Sequence, residues 1–368
     1  MANFTGQLQA NEIYGAIYNM IISQQVFADN IAGTKSTLVD MARVDGTMYG
    51  DTKLYYATDA LKSVKWGNDA ETTNLLKTNR PDDPKCQKIT IDNFRQISLT
   101  LDDYMTKRAW GTESAFTSFN SVMLGWLGNT KKIYDSTTYN AYIGTTESNV
   151  GKQEIEVDVT TAVTGLTGEE KDRVEAGVIG EAIANLLVDL TDVSRDYNDY
   201  GFIRSYDVDD LLFVWNSKAV SKIEKRDLPT IFHKDFVDKF AEHTLPARYF
   251  GTVNGVSVAQ SDGTTIRSLI EQEVTDKDGH KYQLFAGDII PANVTLASGG
   301  SVVYPSYTVD NKVILKIYKK GAVPYMSAFE VGTNFFNPKS LTTNYYLTWG
   351  RNTLEHLKNY PFITVKEV

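Results

Sequence analysis

The feature that most constrains the fold is a long alternation of apolar and polar residues at positions 88–102, KITIDNFRQISLTLD. Its apolar face carries Ile89, Ile91, Ile97, Leu99 and Leu101, and its polar face carries Lys88, Thr90, Asp92, Gln96, Ser98, Thr100 and Asp102. A repeat of two residues is typical of a strand with one buried face and one face in water. We therefore predict a long strand here, with a partner strand within 47–66 where Leu54, Tyr55 and Tyr56 are extended.

The segment between these two strands, Gly67–Gln87, is rich in Asn, Asp and Pro, which predicts a hairpin with a long polar tip. Isolated two-stranded ribbons are marginal in water. We therefore expect the hairpin to lie on another surface, for which a neighbouring copy of the chain is the obvious candidate. An ordinary sheet with a disordered loop is the alternative.

Aromatic and acidic residues on or beside this hairpin are candidate inter-subunit contacts. They are Trp66, Trp110, Tyr55, Tyr56, Asp82 and Asp83. The two tryptophans bracket the hairpin, and aromatic side chains dominate interface hot spots. The tryptophans would equally well close the base of the hairpin within one subunit.

Size and charge limit the classes of function. A chain of 368 residues exceeds the size at which one core stops growing, so two lobes are expected. Lys plus Arg is 37 and Asp plus Glu is 46, for a net charge of −9, and no basic cluster exceeds a pair. Tight nucleic-acid binding needs a concentrated basic surface and is not expected, whereas loose contact with packaged nucleic acid is compatible with this charge.

The single cysteine, Cys86, excludes an internal disulfide and a cysteine-based zinc site, which is compatible with assembly in a reducing cytoplasm. No apolar run approaches the ~18 residues of a membrane span, and the N-terminal sequence has no signal-peptide pattern. We expect a protein that is neither exported nor embedded in a membrane.

Helical periodicity appears in several segments. Residues 112–142 place their apolar side chains on one stripe, although Gly125 and Gly128 each weaken such a helix by up to ~1 kcal/mol relative to Ala. A second stripe, from Val174 to Leu190, follows a Thr167 and Glu170 capping box. Residues 10–32 predict a helical N-terminal arm.

Further strands complete an α+β pattern. Alternation from Gln153 to Val163 predicts a strand with an acidic, solvated face, and Leu211–Trp215 predicts a short buried strand that leads into a helix capped by Asn216 or Ser217. Residues 247–310 are rich in Gly, Thr, Ser and Asp and predict several short strands and loops. Val313–Ile317 predicts a firm strand, and the C-terminal residues are mostly extended.

No arrangement of residues indicates catalysis. Asp276-x-Asp278-Gly279 lacks the closing Glu of a calcium loop, and Asp-Gly is a tight-turn dipeptide. The acidic residues within 207–210 are expected to be a solvated start of a strand, and Ser257 lacks the second Gly of a nucleophile elbow. None of the histidines has metal-ligand spacing: they are His233, His243, His280 and His356. We expect no enzyme activity, no metal and no cofactor.

Two stretches carry a resemblance to a known family. The first stretch is residues 203–235, IRSYDVDDLLFVWNSKAVSKIEKRDLPTIFHKD, in which a hydrophobic strand is followed by a polar turn, a helix and then a Phe shortly after a short apolar step. The second stretch is residues 335–350, FFNPKSLTTNYYLTWG, in which Asn-Pro is followed by Tyr-Tyr and Trp. Together with the order of elements, they resemble the major capsid proteins of small short-tailed bacteriophages of the picovirus type. These share the Hong Kong 97-like fold of tailed-phage and herpesvirus shells.

The resemblance implies a division of the chain. Residues 1–45 would be an N-terminal arm, 46–106 an extended loop, 107–165 and 341–368 a peripheral platform with a spine helix, and 166–340 an apical domain with a β-rich insertion at 256–310. Covalent cross-linking, known in part of this fold group, is not implied, because no Lys and Asn here match its pattern.

The resemblance also implies a function. The chain would be a structural protein that assembles with itself into pentamers and hexamers of an icosahedral head around double-stranded DNA, in the virion, after assembly in the host cytoplasm. A separate scaffolding protein and a portal would be its partners. The alternatives are an encapsulin-type compartment shell and, in a different class, an α+β hydrolase or a carbohydrate-binding protein.

Overall fold

The computed structural model describes residues 37–45, 51–63, 78, 80–102, 113–224, 243–254, 266–276, 278–291, 294 and 304–368. The chain forms two compact units. Of the described residues, the first unit contains those within 1–51, 91–136 and 326–352, and the second unit contains those within 52–90, 137–325 and 353–368. The helix predicted at 10–32 lies outside the described residues, as do Trp66 and Trp110. The division into arm, loop, platform and apical domain stays a prediction.

The described part of the chain has mixed secondary structure. Its α-helices are α1 (Thr37–Ala42), α2 (Glu113–Thr145), α3 (Val159–Ala162), α4 (Gly168–Thr191) and α5 (Ser217–Glu224). Its strands are β1 (Arg43–Asp45), β2 (Thr52–Ala57), β3 (Lys85–Asp102), β4 (Glu154–Val157), β5 (Leu211–Asn216), β6 (Thr244–Leu245), β7 (Gly251–Val253), β8 (Ile266–Ser268), β9 (Gln272–Thr275), β10 (Lys281–Leu284), β11 (Ser306–Val309), β12 (Val313–Lys319), β13 (Tyr325–Asn337), β14 (Thr342–Asn352) and β15 (Phe362–Glu367).

The first unit is built on a sheet in the order β1-β13-β14-β3. β14 pairs antiparallel with β13 and with residues 91–102 of β3. The predicted alternation of β3 is confirmed, because Ile91 and Leu101 are buried while Asp92, Gln96, Ser98 and Thr100 are exposed. Polar pairs join the strands on the solvent-exposed face. In one of them, the Gln96 side-chain amide donates to Thr348 Oγ1 at 2.9 Å.

The core of the first unit centres on Tyr134 of α2. Its ring lies edge-on to Trp349 of β14, with 5.5 Å between centroids, and its hydroxyl accepts a hydrogen bond of 2.9 Å from Arg351 Nε. The guanidinium of Arg95 lies over the same ring at 5.5 Å. Such cation–π contacts add to area burial, so a single aromatic side chain joins the helix to two strands.

The second unit contains a five-stranded sheet in the order β4-β15-β12-β5-β6. β12 pairs antiparallel with β15 and β5, and the outer strands β4 and β6 pair in parallel. One face packs against α4, whose buried residues Ile179, Ile183, Leu186, Leu187 and Leu190 follow the predicted stripe. The described parts of 251–309 add the small sheet β7-β11-β8 and the hairpin β9–β10, as the turn-rich composition predicts.

Two local predictions are wrong. The strand predicted from Gln153 to Val163 ends at Val157, because the Asp158 side chain accepts a hydrogen bond from the Thr161 amide and begins α3. The capping box at Thr167 does not form: α4 begins at Gly168, and the Thr167 side chain makes no capping hydrogen bond. Gly168 has φ +64, a left-handed conformation that glycine adopts readily.

Other predicted elements are confirmed. The long helix predicted at 112–142 is α2, which has 33 residues. Leu211–Trp215 lies in β5, and Asn216 Oδ1 accepts a hydrogen bond of 3.1 Å from the Lys218 amide at the start of α5, as predicted for a cap. Within the described ranges, no helix has the length and hydropathy needed to cross a membrane.

Candidate assembly surface

The predicted hairpin forms from β2 and residues 85–90 of β3, paired antiparallel from Thr52 with Thr90 to Ala57 with Lys85. Because side chains alternate along a strand, the ribbon has two different faces. One carries Leu54, Tyr56, Cys86 and Lys88, which are all exposed and which we name the outward face. Leu54 is 51% exposed and Tyr56 is 65% exposed, so large apolar groups lie in water here.

The opposite face of the hairpin packs against other residues of the second unit, to which the hairpin itself belongs. Ala57 and Ile89 are buried, and Tyr55 and Gln87 are half-buried. Burial, with a smaller effect from Tyr360, raises the pKa of the Tyr55 hydroxyl above its ordinary value. The neighbouring candidates Tyr55 and Tyr56 therefore have different surroundings, and Tyr56 is the one available to another molecule.

Gln87 fixes one strand of the hairpin to the loop before β15. Its amide nitrogen donates to the His356 carbonyl oxygen at 2.9 Å, and its amide oxygen accepts from the Lys358 amide at 3.0 Å. Both ends of the carboxamide are thus satisfied by backbone groups. The support that sequence reasoning assigned to another subunit comes, at this point, from the same chain.

Asp59 fixes the other strand, just after β2. Its Oδ1 accepts hydrogen bonds from the Ala60 amide at 2.8 Å and the Ile203 amide at 3.0 Å, and its Oδ2 accepts from Arg195 Nη1 at 2.7 Å. The Ile203 amide and Arg195 lower the pKa of this carboxyl to about 2. Sequence reasoning missed Asp59, because its partners are 136 and 144 residues away and no local pattern marks it.

The described part of the hairpin tip is exposed. Lys62 Nζ and Asp82 Oδ2 form an ion pair of 2.8 Å whose side chains are 80% and 71% exposed, and Asp83 is also exposed. An ion pair in water contributes little to stability. Leu61, four residues after the end of β2, is 80% exposed. Contact of Asp82, Asp83 or the two tyrosines with a neighbouring copy stays a prediction.

A half-buried carboxylate, Asp199, holds together the loops that contact the hairpin. Its Oδ1 accepts from Ser148 Oγ and Gln153 Nε2, both at 2.7 Å, and its Oδ2 lies 2.9 Å from His356 Nε2. Burial acts to raise the pKa of Asp199, but the hydrogen bonds from His356, Ser148 and Gln153 outweigh it and lower the pKa. The serine and the histidine bind different carboxylate oxygens, which is a structural arrangement and not a nucleophile–base pair.

Asp276, Asp278 and His280 are the one group of three possible metal ligands found in the described ranges. Asp276 is buried and accepts hydrogen bonds from the Asp278 and His280 amides and from Tyr282 Oη, at 2.8–3.0 Å. Against the effect of burial, these hydrogen bonds lower its pKa to about 2. The Asp276 carbonyl also accepts from the Gly279 amide, so the residues form the predicted turn between β9 and β10.

The sequence model of the Phi29-like phage major capsid protein family matches residues 2–360. The chain belongs to this family. As a Phi29-like phage major capsid protein, it is a structural protein of the capsid shell of the virion and not an enzyme. A search of curated protein sequences finds no match.

Solved phage structures share the fold of this major capsid protein. A chain in the capsid structure of Staphylococcus phage Andhra aligns with a TM-score of 0.59 and 11% identity, over 89% of this chain and 83% of that chain. A chain in the structure of the head fiber and inner core protein gp22 of native bacteriophage P68 aligns with a TM-score of 0.58 and 13% identity, over 89% and 83%. These matches confirm the predicted Hong Kong 97-like fold.

Membership of the capsid family decides between the functions that the sequence left open. The expectation of a phage shell protein is confirmed, and the family assignment gives no support to an encapsulin-type compartment, a hydrolase or a carbohydrate-binding protein. The polar clusters at Asp199 and Asp276 hold loops together through hydrogen bonds.

Proposed function

We propose that this major capsid protein assembles into pentamers and hexamers that tile an icosahedral head around double-stranded DNA, and that the outward face of the β2–β3 hairpin binds a neighbouring copy. Ring formation would use heterologous contacts, in which two different surfaces of the subunit meet and the rotation closes. A separate scaffolding protein and a portal would act during assembly in the host cytoplasm.

The observation that carries the proposal is an exposed apolar surface on a ribbon whose other face is already packed. On this side of the hairpin Leu54 is 51% exposed and Tyr56 is 65% exposed. Burying a leucine or aromatic side chain contributes about 1.5–3 kcal/mol, and tyrosine is enriched at interface hot spots. One such contact is weak, but a closed shell repeats it around every subunit, so the contacts reinforce one another.

The proposed contact with packaged DNA is non-specific and weak. The net charge of −9 opposes close approach to phosphates, and the sequence has no basic cluster beyond pairs such as Lys319-Lys320. We expect the shell to enclose DNA without a tight binding site on each subunit. Isolated subunits should therefore bind double-stranded DNA weakly at physiological salt.

Shortening the hairpin tests its role in assembly. Residues 64–80 would be replaced by a short Gly/Ser turn, which retains β2, β3, Asp59 and the pair of Lys62 with Asp82. The deletion leaves Gln87 in place because that residue binds the backbone of His356 and Lys358. We expect a folded subunit by circular dichroism and few or no shells by electron microscopy. Normal shells would refute the role of the tip.

A second set of variants tests the outward face. Leu54→Ser and Tyr56→Ser together remove two exposed apolar groups without touching the packed face, so subunit stability should hardly change while the yield of shells falls. Val188→Ser is the matched control, since Val188 is 67% exposed on α4. Equal yields from the double variant and the control would count against a contact through this face.

A further inference from the structure

The hairpin that carries the outward face is held by polar contacts within its own subunit near the tip end of its paired region. Asp59 lies two residues after the end of β2 and Gln87 lies in β3, so each strand has its own anchor. Beyond them the side chains of Leu61, Lys62 and Asp82 are largely exposed. The ribbon is fixed where the tip begins, and the outward face and the exposed tip are left to bind another molecule.

The segment that binds Asp59, residues 195–203, is held in place by its own hydrogen bonds. Asn198 is buried, and its side chain donates to the Phe202 carbonyl at 2.7 Å and accepts from the Phe202 amide at 2.8 Å. Gly201, with φ +63, allows the tight turn between them. Arg195 donates to the Gly201 carbonyl at 2.8 Å as well as to Asp59. The guanidinium is therefore already oriented by the turn when it binds the carboxylate.

A second arginine, Arg204, binds the residue that precedes Asp59. Arg204 donates to the Thr58 carbonyl oxygen, and its guanidinium lies 5.8 Å from the centroid of the Phe202 ring. The backbone of residues 194 and 204 is joined by a pair of hydrogen bonds of 3.0 and 2.9 Å. The segment 195–204 thus donates hydrogen bonds from two arginines and from the Ile203 amide to residues 58 and 59.

We infer that Asp59 is a positioning residue for shell assembly: its contacts with Arg195 and Ile203 set the direction in which the hairpin leaves the subunit. This inference rests on the proposed role of the hairpin in binding a neighbour. A closed shell requires each repeated contact to be made at one angle, because small errors accumulate around a ring. Fixing the hairpin beforehand also removes the entropy that would otherwise be lost when the neighbour binds.

The strength of this contact should be constant over the conditions of assembly. Its partners lower the pKa of Asp59 to about 2, so the carboxylate stays ionised at any pH near neutrality. The carboxylate also receives more than one charge-assisted or backbone hydrogen bond, which are among the stronger polar interactions. The contact is therefore suited to holding the hairpin in one position at all of these pH values, and not to acting as a pH-sensitive switch.

The test compares Asp59→Ala with Glu273→Ala in the full-length protein. The first variant removes the anchor, and the second removes an equal charge outside the hairpin and breaks only the exposed pair with Lys281. Amide hydrogen exchange on unassembled subunits and electron microscopy of assembled material are measured for both. We expect exchange at residues 58–63 to rise severalfold in Asp59→Ala, with malformed or few shells, and neither effect in Glu273→Ala.

Two results would overturn the inference. Unchanged exchange in Asp59→Ala would show that the residue does not hold the hairpin, and faster exchange with shells of normal number and size would show that holding it does not matter. If Asp59→Ala does not fold, Asp59→Asn carries the test, because its side-chain oxygen can still accept from the Ala60 and Ile203 amides while the charge facing Arg195 is lost.

The outcome separates this inference from the proposed function. Normal shells from the variant lacking residues 64–80 would refute the role of the hairpin tip itself. Loss of shells in that deletion, together with normal shells in Asp59→Ala, would leave the proposed function standing and reject only the positioning role.

Discussion

Replacing Lys316 by methionine should change how the stability of the capsid subunit depends on pH. Lys316 lies in the middle of β12 with a fully buried side chain. Its Nζ donates to the Thr146 carbonyl at 2.9 Å and to Thr364 Oγ1 at 2.8 Å, and it lies 3.8 Å from Glu147 Oε1. Burial lowers its pKa to about 7, although the charge of Glu147 acts in the opposite direction.

The sign and size of the effect follow from proton linkage. In the unfolded chain the lysine pKa is about 10.4. Between pH 7 and 10 the unfolded state therefore binds up to one more proton than the folded state, and the free energy of unfolding rises with pH by up to about 1.4 kcal/mol per pH unit. From pH 7.5 to 9.5, the two pKa values give a rise of about 2.5 kcal/mol from this residue alone.

Neighbouring titratable groups do not produce the same rise in the free energy of unfolding between pH 7.5 and 9.5. Lys366 forms ion pairs of 3.0 Å with Glu147 and 2.8 Å with Glu154, and, despite burial, these contacts raise its pKa. Its contribution is therefore lost only above pH 10. Glu147 keeps Lys366 as a partner when Lys316 is replaced, so the substitution leaves no buried carboxylate alone. Replacing a buried charge by an apolar group of similar size is often neutral or stabilising.

The assay is urea unfolding of unassembled subunits at pH 7.5 and 9.5, followed by tryptophan fluorescence. Trp215 is a suitable probe, because it pairs with Leu315 next to the substituted residue. We expect the wild-type protein to gain about 2.5 kcal/mol between the two pH values and Lys316→Met to lose most of that gain. Lys312→Met, at an exposed position just before β12, should keep it. A gain in Lys316→Met equal to that of the wild type would refute the reasoning.

Two further substitutions test the packing. Gly144→Ala in α2 should lower the free energy of unfolding by about 3 kcal/mol, the upper end of the cost of overpacking, because a Cβ there would overlap the Tyr249 carbonyl oxygen. In Gly177→Ala in α4, the added Cβ meets no atom within 4 Å, so this substitution should instead raise the free energy of unfolding by about 0.5–1 kcal/mol. Thermal melting of both variants distinguishes these outcomes. Tyr134→Phe removes the acceptor of the buried Arg351 Nε and should cost about 1–3 kcal/mol, and an unchanged melting temperature would contradict this role of the hydroxyl.

The elements that sequence reasoning predicted well are those whose burial repeats at a fixed period. β3 and α4 each bury one face over many residues, so the pattern of apolar side chains alone identifies them. The same logic failed after Val157. There the buried residues Val159 and Val163 continue the spacing of a strand, but the Asp158 side chain turns the chain into α3. A short helical turn and a strand can bury the same residues, so burial alone does not separate them.

The polar anchors of the hairpin, Asp59 and Gln87, could not be predicted from the sequence for a different physical reason. Gln87 binds residues 269 and 271 positions away, and Asp59 binds residues more than a hundred positions away. A single polar side chain that meets a distant backbone amide leaves no periodic trace in the sequence. The candidates chosen by residue type, Tyr55 and Tyr56, proved to lie on opposite faces of the ribbon, which the alternation of β2 does predict once its partner strand is known.

The internal support of the hairpin changes what a neighbouring subunit must provide. A free two-stranded ribbon is marginal in water, and a neighbour that had to order it would lose part of the binding free energy in doing so. Here residues 91–102 of β3 pair along β14, while Asp59 and Gln87 hold the ribbon near its tip end. The ribbon is therefore formed before any neighbour arrives. The neighbour needs to supply only a complementary surface for the outward face, which allows many weak contacts to build a shell.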